Sequence, residues 1–469
     1  MGRGSFRSES FRSKYWSHRI APPKIGPAAR TRILDRSIIG GFYVELEPGY
    51  KGRMGGQRVF VSGIGAVTPY GLGGEALRAG LFAGRSAIGP IRSFDASRFP
   101  SRIGGEIPAI ALEAHFDERE LPWLSTLAAH AVIAARAAVA DAGIAEAPRG
   151  GRAGVIFGTG FGSLAESAPH FLKWSAIGDT AARPTTIPVL MLNAPAAQIS
   201  QHLSLSGPSL TLATACSSGS NAIGHALREI REGRQDLMIA GGGEHAVTEL
   251  MLLSWSRLRV LSRRNDEPAR ASRPFDEARD GLVPADAVVL LVLESEEHLL
   301  RRGGRPLAEL AGYGSNCGSE HLTAPDQASE VAAMRAALDD ARVAVDGVEL
   351  LLTHGTATRR NDLVEGRALH ELFRGGRGAP AYAAVKSMTG HAMGASGAIG
   401  AAAAVFALAS GTIPPTINLD RLDLDCEISG FFPVATAREL RTAMVNAFAF
   451  GGHNAVLLFR RVAGSSELR

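Results

Sequence analysis

The strongest constraint on this chain is an alternation, run through twice, of short apolar stretches with longer helical periods. In the first part, apolar runs of strand length stand at 58–63, 153–157, 209–213, 237–240 and 287–294. Between them lie helical patterns. One, at 127–143, ends in a glycine suited to a left-handed cap; another follows Cys216, with Ala222, Ile223, Ala226, Leu227 and Ile230 at helical spacing. The second part repeats the scheme, with runs at 307–312, 348–352, 381–385, 444–448 and 455–459 and helical periods at 329–341, 362–373 and 395–409. Strands that alternate with helices in this way lay helices on the faces of sheets, so the expected class is layered α/β. No residue-level repeat relates the two parts.

Composition narrows the functions. Three cysteines in 469 residues make no disulfide framework and include no pair at metal-ligand spacing; they suit a reducing, cytoplasmic setting. The richest apolar run, 395–409, is short and alanine-rich, which predicts a buried core helix and no membrane span. Net charge is only +4 and the excess is local, so no nucleic-acid partner is expected. Arg3, Arg7, Arg12, Lys14, Arg19, Lys24, Arg30 and Arg32 crowd the segment 1–56, opposed only by Glu9 before Asp35. That segment reads as a transit peptide or as an extension outside the fold, with Met54 as an alternative start. Without an apolar core or an amphipathic period it fits the second reading better.

The chemistry gathers at three places. The stretch 209–224 runs from strand to helix through Thr214-Ala-Cys216-Ser-Ser-Gly219, which puts Cys216 on the turn. Free backbone N–H groups and the helix dipole favour a thiolate there, as a nucleophile requires. A buried structural cysteine would be the plainer reading of a lone Cys, but two later stretches weigh against it. Thr353-His354-Gly-Thr356-Ala-Thr358 and Lys386-Ser-Met-Thr-Gly-His391 each set a histidine just past an apolar run. That edge of an α/β sheet is where ligands collect. A glycine-rich stretch at 158–162 lacks the lysine of a phosphate loop and a complete dinucleotide fingerprint.

These motifs are joined by Arg273-Pro-Phe-Asp276, Arg279-Asp-Gly281, Asn361-Asp362 and Asn446-Ala-Phe-Ala-Phe-Gly-Gly452. In that order they resemble the β-ketoacyl-acyl-carrier-protein synthases, condensing enzymes of fatty-acid and polyketide synthesis, nearest the β-ketoacyl-ACP synthase II group. The resemblance covers 57–461. It implies a thiolase-like fold of two similar halves, 57–300 with the nucleophile and 301–463 with both histidines, stacked as five αβαβα layers in a homodimer. It implies an acyltransferase that joins an acyl thioester to malonyl-acyl-carrier protein by decarboxylative Claisen condensation. No cofactor is bound; the substrates bring the phosphopantetheine of the carrier protein.

By the same resemblance, Cys216 takes the acyl group, and neutral His354 and His391 donate N–H groups to the enolate oxygen. The amides of Cys216 and Phe450 form the oxyanion hole. Lys386 is buried, pairs with Glu365 and orders the histidines. Phe450 is the gate, Trp255 a second gating aromatic, and Thr356 and Thr358 hold the phosphopantetheine amides. Basic residues that often dock the carrier are missing at 121–124, with Arg257, Arg259, Arg263 and Arg264 as substitutes. Three departures stand out. Ala285-Asp-Ala287 replaces Gly-Glu-Gly, and Ala449 replaces the first glycine of the gate loop, which predicts a stiffer loop. Leu352 and Gly400 replace an asparagine and a glutamate that hold a structural cation in many members, so no metal is expected. An active subunit paired with a non-catalytic chain-length-factor partner is the alternative assembly. A non-catalytic subunit is disfavoured by the intact Cys216, His354 and His391, and a thiolase or type III-like synthase by the two-histidine pattern.

Overall fold

A computed structural model describes residues 56–148, 150–374 and 378–462; of the basic segment 1–56, all but Gly56 lies outside them. In chain order the main elements are β1 (Val59–Thr68), α1 (Thr126–Asp141), β2 (Ala153–Gly158), β3 (Ser209–Leu212), α2 (Ser218–Arg231), β4 (Leu237–Glu244), α3 (Glu249–Leu258), β5 (Ala287–Ser295), β6 (Ala308–Cys317), α4 (Gln327–Ala341), β7 (Leu350–Leu352), α5 (Arg359–Phe373), β8 (Ala381–Ala383), α6 (Ser396–Ser410), β9 (Thr442–Phe448) and β10 (His453–Arg460).

The strands reveal the repeat that the residues conceal. The first half pairs in the order β3-β2-β4-β5-β1 and the second in the order β8-β7-β9-β10-β6, the same path taken twice. Corresponding pairs also share their sense. β2 is parallel to β3 and β4, as β7 is to β8 and β9. The β4/β5 and β9/β10 pairs are antiparallel, and so are β5/β1 and β10/β6. The two halves join edge to edge where β1 meets β6, with Phe60 opposite Glu309 and Val61 opposite Ala308.

Burial follows from the layering. β5 is buried along its whole length, as a strand covered on both faces must be. One apolar cluster lies between the sheets and takes residues from α2, such as Ala222 and Ala226, and from α6, such as Ala398 and Ala402. A second packs α1 against the outer face of the first sheet, and a third packs α4 and α5 against the second. The order is therefore helix, sheet, helix, sheet, helix. The first turns of α2 and α6 approach so closely that a Cβ on Gly397 would lie 2.2 Å from Ser220 Oγ, which explains glycine there. This approach carries Cys216, ahead of α2, to the segment that holds His391, ahead of α6.

Some expectations need correction. The stretch Met393–Ser410 is 18 residues long with mean hydropathy 1.6, enough by length and composition to cross a membrane; 83% of it is buried in the core. The strand expected at 381–385 stops at Ala383, and Lys386–Thr389 is a helical turn. The helix Leu164–Ile177 escapes a sequence reading because Pro169 lies inside it.

Candidate active site

The chain leaves β3 at Leu212, passes through the tight turn Ala215–Ser217 and enters α2 at Ser218. Ala215 has φ 50, in the left-handed region that alanine avoids. Hydroxyls hold this strained turn. Thr214 N–H donates to Ser218 Oγ at 2.9 Å, Ser218 Oγ donates to Ala215 O at 2.6 Å, and Ser217 Oγ donates to Thr214 O at 2.8 Å. Cys216 thereby reaches a cavity of about 310 Å³ that His354 and His391 also line. Burial pushes its thiol up to about 12, against the opposing pull of Lys386. Lost solvation thus opposes the thiolate that the turn position favours.

His354 follows β7, and His391 follows the turn Lys386–Thr389. Their ring centroids are 5.4 Å apart and nearly perpendicular, at 85°. Met393 N–H donates to His391 Nδ1 at 3.2 Å, with Ser396 Oγ 2.8 Å from the same atom. Nδ1 is thus an acceptor, and the proton of the neutral ring sits on Nε2. Lys386 Nζ lies 3.4 Å from His354 Nδ1 and also donates to the His354 carbonyl. An ammonium only donates, so His354 carries its proton on Nε2 as well. Burial, then the charge of Lys386, holds both rings well below the usual imidazole range. The result is two neutral N–H donors on the cavity wall that Cys216 shares.

Glu365, on α5, accepts from the amides of His354 and Gly355, each at 2.7 Å, and from Asn446 Nδ2 at 3.3 Å. The expected Lys386–Glu365 pair is not a direct contact. The two meet across the His354–Gly355 peptide, Lys386 on its carbonyl and Glu365 on its N–H. Nearby, Asp362 accepts from Thr356 N and Phe275 N, and the Thr356 and Thr358 hydroxyls lie 2.9 Å apart on the cavity wall.

With this geometry in hand, the family patterns decide the assignment: Beta-ketoacyl synthase, N-terminal domain, matches residues 56–298, and Beta-ketoacyl synthase, C-terminal domain, matches 307–420. The chain belongs to the β-ketoacyl synthase family. A 3-oxoacyl-[acyl-carrier-protein] synthase 2 from Synechocystis sp. is 37% identical over 408 residues, 86% of this chain and 98% of the relative. Among solved structures, the ishigamide ketosynthase/chain length factor superposes with TM-score 0.81 at 35% identity, covering 87% of this chain and all of that one. A type II PKS ketosynthase in complex with its acyl-carrier protein follows at TM-score 0.78 and 27% identity, with the same coverage. The fold is thus the thiolase-like one, and the enzyme class is acyltransferase.

Other residues of the synthase fall as follows. Phe450 lines the cavity and is 42% exposed. Trp255 also lines it, packed edge-on against Phe161 at 5.9 Å. Arg259 does not. It adopts φ 58 as the left-handed cap of α3, so its neighbours Leu258 and Val260 line the cavity while Arg259 borders a separate depression with Ser256, Arg263 and Asp280. Arg264 is occupied with Ala278 O and Asp280, which takes it out of the expected basic set. At the family's cation position, Leu352 and Val445 are buried, and a Cβ on Gly400 would lie 2.7 Å from Val445 Cγ1. Among the described residues no group of three His, Cys, Asp or Glu side chains could hold a metal. Two residues were missed in the sequence. Glu244, at the end of β4, accepts from Gly160 N, Phe161 N, Thr159 Oγ1 and Gly394 N, tying the 159–161 loop to the segment before α6; burial pushes it up to about 7. Met393 places its sulfur 4.0 Å from Cys216 Sγ. An acid after three glycines was the available signal for Glu244.

Proposed function

We propose that Cys216 accepts an acyl group from a carrier-protein thioester and that His354 and His391 then stabilise the enolate formed when malonyl-carrier protein loses CO2. The carbanion attacks the Cys216 thioester, the sulfur leaves, and a β-ketoacyl-carrier protein is released. The supporting observation is the pair of neutral imidazoles, each with its proton on Nε2, on the wall of the cavity that holds Cys216. An N–H donor aimed at a developing oxyanion stabilises the transition state without itself giving up a proton. Glu365 and Lys386 act through the His354 peptide that they clamp. Phe450 acts as the gate, and Thr356 and Thr358 take the amides of the phosphopantetheine arm.

An acidic carrier protein is the partner this reading requires. Arg257, Arg259 and Arg263 border one depression, a surface suited to steering it, while Arg98 on the same rim is paired with Glu249. A homodimer is proposed from the exposed apolar side chains of the first half, Phe171, Leu172, Trp174 and Leu210 on the edge strand β3, which a second copy would cover. A heterodimer with a chain-length-factor-like subunit is the other assembly. The free thiols Cys216, Cys317 and Cys426 fit a cytoplasmic setting.

The test is mass spectrometry after incubation with acyl-carrier protein. Cys216 should gain the acyl mass, and Cys216→Ala should gain none. Cys216→Gln should still release CO2 from malonyl-carrier protein without condensation. Acylation that survives Cys216→Ala would remove the assignment.

A further inference from the structure

The strained turn at Cys216 is tied to the other half of the molecule by a side chain that the condensation chemistry does not use. Tyr313 lies on β6, and its ring is 3% exposed. The ring packs so closely on α2 that a Cβ at Gly224 would sit 2.3 Å from it, and the Arg228 guanidinium covers it at 4.7 Å. Its hydroxyl reaches Asn221 Oδ1 at 2.5 Å. The other end of that amide, Nδ2, donates to Thr214 Oγ1 at 2.7 Å and to Ser217 Oγ at 3.3 Å, the residues that bracket Ala215 and Cys216.

An amide has a donor end and an acceptor end, and its neighbours decide which way it faces. The Ser217 hydroxyl spends its proton on Thr214 O, so towards Asn221 it only accepts and requires the NH2 end. Oδ1 is thereby turned to the core, where the Tyr313 phenol donates to it. We propose that Tyr313 is a positioning residue for Cys216, fixing the Asn221 amide so that its NH2 group clamps Thr214 and Ser217 and holds the left-handed Ala215 turn that presents the sulfur. Without the phenol, the buried Oδ1 loses this donor, the Asn221 side chain is no longer anchored from the second half, and the bonds that offset the strain of the turn weaken. The second half, which supplies both histidines, then also sets the aim of the nucleophile in the first.

Tyr313→Phe keeps the ring, its packing on Gly224 and the Arg228 contact, and deletes only the proton. The loading assay rests on the proposed function, but alkylation does not, so both are measured. Iodoacetamide should label Cys216 about tenfold more slowly relative to Cys317, the exposed thiol that serves as internal reference, which corresponds to about 1.4 kcal/mol. Single-turnover acyl loading should fall by about the same factor in its limiting rate, with the half-saturating carrier concentration unchanged. In an Asn221→Ala background the Tyr313→Phe change should add nothing. A Cys216/Cys317 ratio within twofold of wild type, or one that rises, would overturn the proposal, as would full additivity with Asn221→Ala. If the wild-type chain takes no acyl group while the labelling ratio still falls, the condensing assignment fails and the positioning role stands.

Discussion

Lys386 shows how a single residue can cost stability and supply function. It is buried among apolar and imidazole groups, and burial lowers its pKa from 10.5 despite the opposing charge of Glu365. A lysine whose folded pKa is lowered binds its proton more weakly in the native state. The penalty is therefore full below that lowered value and is relieved as pH rises towards 10.5. Lys386→Met should raise the melting temperature at pH 7, and the gain should shrink as pH climbs through that window. It should also cut CO2 release from malonyl-carrier protein about tenfold or more, because nothing then fixes the His354 tautomer. A variant as active as wild type, or one whose gain over wild type is larger at pH 10 than at pH 7, would contradict this account. The meeting of Cys216, His354 and His391 was legible in the sequence because reactive side chains stood among glycines and hydroxyls at the ends of apolar runs. The surroundings were not. The fate of Arg259 depends on a left-handed cap, and the upward push on the Cys216 thiol on burial that only packing creates.

The gate loop is decided by backbone shape. Ala449 has φ −138, extended and unstrained, whereas Gly451 and Gly452 have φ 80 and 72. The expected stiffness at Ala449 is absent from this conformation, and the freedom of the loop lies after Phe450. Gly452 is also pressed against its neighbour: a Cβ there would lie 1.9 Å from Gly318 O. Left-handed geometry alone costs alanine about 1–2 kcal/mol, and the clash adds to it. Gly452→Ala should therefore lower unfolding stability by about 2 kcal/mol or more and slow acyl loading, whereas Ala449→Gly should change stability by less than about 1 kcal/mol. Denaturant melts of the two variants would check this, and equal stabilities would mean that the loop has another shape. Apolar periodicity revealed most strands and helices but hid those whose pattern is broken, as by Pro169 in Leu164–Ile177.

At the scale of the molecule, the same strand path occurs twice, yet the halves are not independent. Their sheets share two residue pairs, and the cluster between them needs α2 from one half and α6 from the other. Cutting at Gly303–Gly304, after the first-half elements, should give fragments 1–303 and 304–469 that do not fold alone, since each would expose its side of that cluster to water. Mixed during refolding, they should regain circular dichroism and acylation of Cys216. A cooperative melt from fragment 1–303 alone would contradict the shared core. This shared centre also sets a clock during synthesis. The ribosome completes α2 at Arg231 and begins α6 at Ser396, 396 − 231 = 165 residues later. At about 5–20 residues per second that is roughly 8–33 s. Through that interval the nascent first half carries an unmatched apolar face, one that a holdase chaperone would be expected to cover until about the final sixth of the chain emerges.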